Sequence, residues 1–261
     1  MRPLASLGRD EARALRGLLF DLDDTFLTHG ALTRAAYEAL WDMKDAGLRL
    51  VAVTGRPSGW GEVVVRQWPI DAAVTENGAV VVVREGRGIA RREACDETER
   101  RSRRIRLGRL VDEVRGVVPE ARLSDDVDAR RSDVTWDIGE RVSLPVERVA
   151  MIRARIHAAG ARTTQSSVHL HATFDVDDKA SGSVGYLVQA FGEDAGAALV
   201  RYAFVGDSGN DAACFAAFRT TIGVANVAAH VTHIAVPPRY VTRAAMGEGF
   251  AELAAALLAA R

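Results

Sequence analysis

The segment that most constrains the fold of this chain is a short apolar run that ends in acidic residues, at positions 17–24. The run Gly-Leu-Leu-Phe is nearly continuous in its apolar character, which is typical of a buried strand in a parallel sheet. Residues two apart on an extended segment point the same way, so the carboxylates of Asp21 and Asp23 are predicted to converge while Asp24 turns away. In an open α/β sheet, ligands bind at this carboxyl end of the strands.

Two carboxylates that lie close together repel each other unless a cation or a shared proton lies between them. Mg²⁺ prefers oxygen ligands and accepts one or two carboxylates together with phosphate and water. The acid pair Asp21 and Asp23 therefore indicates a magnesium site. Taken alone, the segment is also compatible with a turn-rich strand end that binds nothing, although the magnesium site is the favoured interpretation.

The alternation of elements around this segment predicts the architecture. Strands are expected at residues 17–22, 48–53 and 72–75, with helices at 33–46 and from 58 between them. This β-α-β-α-β order favours a doubly wound parallel sheet. The same alternation returns after residue 174, with a helix from about 180, a strand at 202–205, a helix after 210 and short strands near 221–224 and 233–236.

The stretch between these two regions has a different character. It contains a β-branched hairpin at 79–84, helices at 97–118 and 146–159, and strands at 134–138 and 167–174. We therefore predict an α/β protein with two units. Residues 1–77 and 175–261 form the doubly wound core, and residues 78–174 form an inserted α+β domain.

Two further segments place polar groups at the predicted sheet edge. In Val-Thr-Gly-Arg at 53–56, the Thr54 hydroxyl and neighbouring backbone N–H groups can bind a phosphoryl oxygen, and Gly55 lets the backbone come close. Lys179, which with Lys44 makes up all the lysine of the chain, stands near a helix start, where its ammonium would neutralise a phosphoryl group. A strand-Thr-Gly corner and a surface lysine are both common, so each signal is weak alone.

The fourth segment is Phe-Val-Gly-Asp-Ser-Gly-Asn-Asp at 204–211, an apolar strand followed by two acids four residues apart. Asp207 is placed to complete a magnesium shell. Asp211 and Asn210 could hold a water bound to the metal, or Asp211 could act as a favourable charge at a helix start.

The four segments follow one another as acid pair, threonine, lysine and acid pair. In this order and spacing, the chain resembles the haloacid dehalogenase superfamily of phosphohydrolases along essentially its whole length. The resemblance implies a phosphatase in which Asp21 is the nucleophile, forming an aspartyl-phosphate, and Asp23 is the general acid/base. It also implies that Thr54 binds the transferring phosphoryl group and that Lys179 stabilises this group and Asp21.

The resemblance also implies a Mg²⁺ cofactor and a cap domain. The implied metal site consists of Asp21, Asp23 through its backbone carbonyl, Asp207, and Asp211 in support. The insert lies between the threonine and lysine motifs, which is the position of a C2-type cap. Its strands and helices look like those of the type IIB (Cof-like) group, which includes sucrose-phosphate and mannosyl-3-phosphoglycerate phosphatases. The implied substrate is a small phosphorylated metabolite, a sugar phosphate or a phosphoglycerate derivative.

Substrate contacts are expected from both units. Arg56 is expected to meet an anionic substrate, together with Gly55 and Asn210. His169 and His171 share one face of the predicted strand at 167–174, so they either contact the leaving group, pack within the cap or face solvent.

Composition narrows the possible partners and location. The net charge of -1 gives no attraction to nucleic acid or a membrane, and the arginines of residues 97–118 are balanced by acids, as on a solvated helix face. Two distant cysteines fit a reducing compartment. No stretch approaches the ~20 apolar residues of a membrane span, and the first 16 residues do not read as a signal peptide. A cytoplasmic protein is therefore expected, while its oligomeric state is not readable.

Two other functions use related chemistry. A phosphotransferase or mutase could pass the same phosphoryl group from Asp21 to a sugar hydroxyl instead of water. A receiver-like signalling module also phosphorylates an aspartate on a doubly wound fold, but such modules lack the second aspartate found at Asp23 and a large inserted domain.

Overall fold

The computed structural model describes residues 1–166 and 168–261 of the chain. Its strands are β1 (Arg2–Pro3), β2 (Gly17–Phe20), β3 (Arg49–Val53), β4 (Ala72–Thr75), β5 (Val80–Glu85), β6 (Gly88–Glu93), β7 (Arg122–Leu123), β8 (Asp133–Asp137), β9 (Arg162–Gln165), β10 (His169–Thr173), β11 (Tyr202–Gly206), β12 (Thr220–Gly223) and β13 (Tyr240–Val241). Its helices are α1 (Arg9–Ala14), α2 (Arg34–Asp45), α3 (Ser58–Gln67), α4 (Glu97–Val117), α5 (Val146–Ala158), α6 (Lys179–Phe191), α7 (Ala195–Arg201), α8 (Ala212–Ala217) and α9 (Met246–Ala259). None of the helices in these described ranges combines the length and the apolar character needed to cross a membrane.

The larger of two sheets in the described residues has the strand order β1-β13-β12-β11-β2-β3-β4-β5-β6. Every neighbouring pair from β1 to β4 is parallel. The hairpin β5–β6 extends this sheet in antiparallel fashion. The predicted α/β class, with a doubly wound and mostly parallel sheet, is confirmed.

Successive residues of the central strand β2 point to opposite faces of this sheet. Leu18 and Phe20 belong to one apolar cluster, which includes Phe250 of α9. Leu19 belongs to a second cluster on the other face, with Leu187 of α6. Each fully buried side chain of this size stabilises the fold by about 1.5–3 kcal/mol. Helices thus cover both faces, and the carboxyl edge of the sheet stays open to receive a ligand.

The smaller sheet has the order β7-β8-β10-β9 and is antiparallel throughout. On one face, Trp136 and Leu170 pack with Leu110 of α4 and Ile152 of α5 in a separate apolar core. The alternate residues, such as His171, face the carboxyl edge of the large sheet. We refer to this unit as the cap.

Two segments differ from the sequence analysis, and a third begins at a residue outside the described ranges. The hairpin β5–β6 falls within the inserted domain predicted at 78–174, but it is hydrogen-bonded to β4, where the four valines at 80–83 are buried. The strand predicted at 233–236 is wrong, because Pro237 and Pro238 lack backbone N–H donors and the strand, β13, forms only after them. The strand predicted at 167–174 is observed as β10; its predicted first residue, Ser167, lies outside the described residues.

Candidate active site

Asp21 lies directly after β2, at the carboxyl end of a central strand. Its backbone N–H donates to the carbonyl of Val205 at 3.0 Å, and its buried Oδ1 accepts a hydrogen bond from Lys179 Nζ at 2.6 Å. Burial raises the pKa of Asp21 well above its ordinary value; Lys179 opposes this rise, and the neighbouring carboxylates of Asp211 and Asp207 add to it. The site therefore holds more negative charge than Lys179 balances.

Lys179 is the first residue of α6, and its ammonium bridges two carboxylates. Besides Asp21, it donates to Asp211 Oδ1 at 2.7 Å. Burial acts to lower the pKa of Lys179, but the two carboxylates outweigh burial and raise it above the ordinary value. The helix start is fixed by Asp178, whose carboxylate accepts from the N–H groups of Ala180 and Ser181 at 3.0 and 2.9 Å.

A close approach between two backbones sets the position of this helix. A Cβ atom on Gly78, which has a φ of 110°, would lie 2.0 Å from the carbonyl oxygen of Asp178. A Cβ atom on Gly182 would lie 2.2 Å from the carbonyl oxygen of Gly78. Both positions require glycine, because real Cβ atoms do not approach backbone atoms so closely. The turn after β4 thereby packs directly against the helix that carries Lys179.

Asp207 and Asp211 follow β11, the neighbour of β2. Asp211 Oδ2 accepts hydrogen bonds from the backbone N–H groups of Asp207 and Ser208 at 2.9 and 3.1 Å. A Cβ atom on Gly206 would lie 2.4 Å from that same oxygen, so glycine at 206 lets the carboxylate approach the strand end. Burial raises the pKa of Asp207 to about 7, and the charge of Asp211 adds to this effect.

One oxygen from each of Asp21, Asp207 and Asp211 lies within 4.8 Å of the others, and all three residues are buried. We call this group the acidic trio. Lys179 supplies a single positive charge against its three carboxylates. A buried excess of negative charge on oxygen donors is the environment that a divalent cation such as Mg²⁺ stabilises.

The predicted phosphoryl-binding segment lies at the end of β3, next to β2. Thr54 is buried, and its Oγ1 accepts a hydrogen bond from the backbone N–H of Arg56 at 3.1 Å. This contact uses the hydroxyl as an acceptor and leaves its proton available to a ligand. The Arg56 guanidinium stacks over the ring of Trp60, with its central carbon 4.0 Å from the ring centroid.

Asp23 does not join the acidic trio. Its side chain is 51% exposed and is held by Arg56, whose Nε donates to both carboxylate oxygens at 3.1 and 2.9 Å, and whose Nη2 donates to Oδ1 at 2.5 Å. The next residue, Asp24, has a left-handed φ of 55°, and its Oδ1 accepts a hydrogen bond from the backbone N–H of His29 at 3.1 Å, although the residue still lines the same cleft. The carboxylates of Asp21 and Asp23 therefore have different partners, Lys179 and Arg56.

A cleft of about 570 Å³ separates the cap from the sheet edge. Its lining includes most of the predicted site residues: Asp21, Asp23, Gly55, Arg56, His169, His171, Asp207 and Asn210. The remaining three, Thr54, Lys179 and Asp211, are buried beside it. The structure thus brings the residues of all four motifs to one edge of the sheet.

The two cap histidines have different surroundings. His169 Nε2 lies 2.9 Å from a carboxylate oxygen of Glu140 and remains partly exposed to the cleft. His171 is buried, with Nδ1 at 2.9 Å from Asp133 and 3.0 Å from Thr135. Burial lowers the pKa of His171, although Asp133 opposes this shift. His169 is therefore the more accessible of the two.

Sequence reasoning missed Asn226, which links the loops that carry Asp207 and Asp24. Its Nδ2 donates to Asp207 Oδ2 at 3.1 Å and to the Asp24 carbonyl at 2.9 Å, while its Oδ1 accepts from the Met246 N–H at 3.0 Å. The signal available in the sequence was its position just after β12, at the same carboxyl edge as the other motifs.

Sequence reasoning also missed two residues that hold the cap to the core. The buried Glu76 carboxylate accepts hydrogen bonds from the N–H of Ser58 in the core and from Arg131 and Ser132 in the cap. Arg130 of the cap donates to the Gly55 carbonyl at 2.9 Å. The cap is therefore fixed directly above the predicted phosphoryl-binding segment.

The comparisons with known proteins agree with this geometry. A family model described as haloacid dehalogenase-like hydrolase matches residues 18–99, which contain the Asp21 and Thr54 motifs. Comparison with curated proteins found no match.

Several solved structures share the fold over nearly the whole chain. The protein 0175 of Thermoplasma acidophilum has a TM-score of 0.74 at 16% identity, covering 94% of this chain and 98% of its own. A structure described as a putative HAD/COF-like hydrolase from Plasmodium vivax has a TM-score of 0.67 at 16% identity. The match covers 97% of this chain and 100% of the Plasmodium chain. The sucrose-phosphatase of Synechocystis, solved with sucrose and phosphate, has a TM-score of 0.63 at 16% identity. The match covers 93% of this chain and 98% of the sucrose-phosphatase.

At these identities the solved structures establish the fold alone, and the family model covers only the segment with the Asp21 and Thr54 motifs. Residues 18–99 thus match the haloacid dehalogenase-like hydrolase family, and nearly the whole chain shares the fold of a solved HAD/COF-like hydrolase. The prediction of a hydrolytic enzyme is confirmed, with a solved phosphatase among the structures that share its fold.

Proposed function

We propose that this enzyme is a Mg²⁺-dependent phosphomonoester hydrolase that forms an aspartyl-phosphate on Asp21. The observation that carries the proposal is the contact of Asp21 with Lys179 inside the acidic trio, at the open edge of the sheet. One oxygen of Asp21 is bound by the ammonium, and the residue lines the cleft. This arrangement supports a carboxylate that attacks a phosphoryl group entering from the cleft.

The donor set fits Mg²⁺. The acidic trio supplies oxygen ligands only, and one ammonium cannot balance its three carboxylates when all are ionised. We propose that Asp21 and Asp207 hold the ion together with the backbone carbonyl of Asp23, and that Asp211 orients the group through Lys179 and the loop N–H groups. When bound, Mg²⁺ would neutralise charge on the phosphoryl oxygens.

In the first step, an Asp21 oxygen bonds to phosphorus as the bond from phosphorus to the leaving oxygen breaks. Lys179 holds Asp21 in place and offsets the negative charge of the phosphoryl group. The Thr54 hydroxyl donates to a phosphoryl oxygen. Asp23 gives its proton to the leaving oxygen, so the product alcohol departs neutral.

In the second step, the Asp23 carboxylate takes a proton from water as the water oxygen bonds to phosphorus. The bond between Asp21 and phosphorus breaks, which restores the Asp21 carboxylate and releases inorganic phosphate. The same group thus acts as acid and then as base. The cap above the cleft would limit entry of bulk water during the first step.

The proposed substrate is a small phosphorylated metabolite, a sugar phosphate or phosphoglycerate derivative. Support comes from the polar cap side of the cleft, where His169, Glu140 and Arg141 can bind hydroxyl or carboxylate groups. The names of two structures that share the fold, sucrose-phosphatase and a trehalose-6-phosphate phosphatase related protein, are consistent with this class. The free cysteines Cys95 and Cys214 fit the proposed cytoplasmic location.

Hydrolysis of 4-nitrophenyl phosphate tests the proposal. Activity should require added Mg²⁺, disappear with a chelator, and fall by at least about 10³-fold in Asp21→Asn, which removes the nucleophile. Asp112→Asn, an exposed aspartate on α4, is the matched control and should keep full activity. Activity without Mg²⁺, or an active Asp21→Asn variant, would refute the proposal. Product analysis with an added acceptor sugar separates the hydrolase from a phosphotransferase.

A further inference from the structure

The pairing of Arg56 with Asp23 has a consequence for the proposed reaction. We propose that Arg56 is a positioning residue for Asp23 and directs its proton to the leaving oxygen, in addition to any contact with the phosphoryl group. This inference rests on the proposed function, because it assumes that Asp23 is the acid/base. It concerns proton transfer to the leaving oxygen, a step in which the proposed mechanism gives the acidic trio and Lys179 no part.

The geometry identifies Arg56 as the fixed member of the pair. Its side chain is 19% exposed, against 51% for Asp23. Its guanidinium stacks on Trp60, and its backbone N–H is bound to Thr54 Oγ1. Within the described residues, the hydrogen bonds of the Asp23 carboxylate all come from this guanidinium. The arginine therefore sets where the half-exposed carboxylate points.

The contact is of a kind that orients as well as attracts. The guanidinium Nε reaches both carboxylate oxygens and Nη2 reaches one of them, in the planar fork that arginine forms and lysine cannot. A lysine at this position would keep the positive charge but lose the planar donor arrangement. The single substitution Arg56→Lys therefore separates the effect of the positive charge from the effect of orienting the Asp23 carboxylate.

The Arg56 guanidinium also stabilises the charge that develops on Asp23 during the reaction. As the Asp21 oxygen bonds to phosphorus, the leaving oxygen loses its bond to phosphorus and takes the proton of Asp23. The negative charge that appears on Asp23 is then held by the same guanidinium. Stabilisation that grows as charge develops lowers the barrier instead of only strengthening binding.

A role in positioning the acid predicts a dependence on the leaving group. Expulsion of 4-nitrophenolate needs little proton donation, whereas unsubstituted phenolate or an alkoxide needs much more. Loss of a well-placed acid should therefore slow poor leaving groups selectively. A residue that only binds the phosphoryl group, which all these substrates share, would slow them all equally.

The experiment measures kcat/KM for a series of substituted phenyl phosphates and benzyl phosphate. For Arg56→Lys we expect a loss below about 5-fold with 4-nitrophenyl phosphate and of about 50-fold with phenyl and benzyl phosphate. Trp60→Leu, which removes the stacking partner of Arg56, should show the same trend more weakly. Arg34→Gln, at an exposed ion pair with Glu38, is the control and should show no dependence on the leaving group. An equal loss across the series in Arg56→Lys and Trp60→Leu would overturn the inference.

A double-variant cycle tests whether Arg56 acts through Asp23. In an Asp23→Asn background, Arg56→Lys should cost less than about 3-fold with phenyl phosphate, because the group it positions is already gone. A loss as large as in the wild-type background would overturn the inference. The proposed function is tested separately by Asp21→Asn: if that variant is inactive while Arg56→Lys gives a uniform loss, only the positioning role fails.

Discussion

Alanine at Gly182 is expected to damage both stability and catalysis through a single steric contact. The new Cβ atom would lie 2.2, 2.7 and 2.8 Å from the carbonyl oxygen, Cα and carbonyl carbon of Gly78. These are backbone atoms, so no change of side-chain rotamer relieves the contact. Because an ordinary carbon–oxygen contact is about 3.3 Å, α6 and the turn at Gly78 must separate by about 1 Å.

The magnitude follows from two opposing effects. Alanine is favoured over glycine in a helix by about 1 kcal/mol, whereas overpacking of this kind costs about 3 kcal/mol. We therefore expect Gly182→Ala to lower the free energy of unfolding by about 2 kcal/mol. A Cβ atom on Gly185, on the same helix, would have no atom within 4 Å, so Gly185→Ala should raise that free energy by about 0.5–1 kcal/mol.

The catalytic effect follows from Lys179, three residues before Gly182. Its hydrogen bonds of 2.6 and 2.7 Å to Asp21 and Asp211 would exceed 3.5 Å after a 1 Å shift, and a misplacement of that size costs about 10²-fold in rate. Urea unfolding and kcat/KM with 4-nitrophenyl phosphate measure the two effects. If Gly182→Ala proves as stable and active as Gly185→Ala, the close approach does not position Lys179.

Two further variants test the buried polar groups of the cap by urea unfolding. Burial holds the pKa of His171 below its ordinary 6.5, so the unfolded chain binds a proton there that the folded chain does not, and stability is lost as the pH falls below 6.5. His171→Gln should flatten this loss and exposed His157→Gln should not; an unchanged slope in His171→Gln would contradict the reasoning. Arg130→Met removes the guanidinium that pairs with the buried Asp133 carboxylate and leaves only His171 beside it, so it should cost about 3–5 kcal/mol, against less than about 1 kcal/mol for exposed Arg115→Met. If Arg130→Met and Arg115→Met lower the free energy of unfolding by similar amounts, the buried ion pair does not stabilise the cap as argued.

Local sequence patterns were sufficient for the architecture of the core. The apolar run before Asp21 and the alternation of strands and helices predicted a parallel sheet, and parallel strands necessarily bring their carboxyl ends to one edge. The hairpin β5–β6 was recognisable as a hairpin, but its sequence did not reveal which sheet edge it joins. That choice depends on the burial of its four valines against α3 and β4, which is a tertiary property.

The site was predictable to the extent that its residues follow strands. Asp21, Asp207 and Lys179 meet as expected, since each begins at the sheet edge or at the helix beside it. The pairing of Asp23 with Arg56 joins residues 33 positions apart, and the contact of Arg130 with the Gly55 carbonyl joins residues 75 apart. Neither contact has a local sequence signature, because each depends on how the loops and the cap are packed over the core.

Detection of the covalent intermediate tests the central claim most directly. The enzyme is mixed with a ³²P-labelled phosphomonoester and Mg²⁺, quenched in acid within one turnover, and digested for mass spectrometry. We predict a labile phosphoryl group on Asp21, and its absence in Asp21→Asn. Turnover of the substrate with no phosphoryl group on Asp21, or with the label on another residue, would contradict the account.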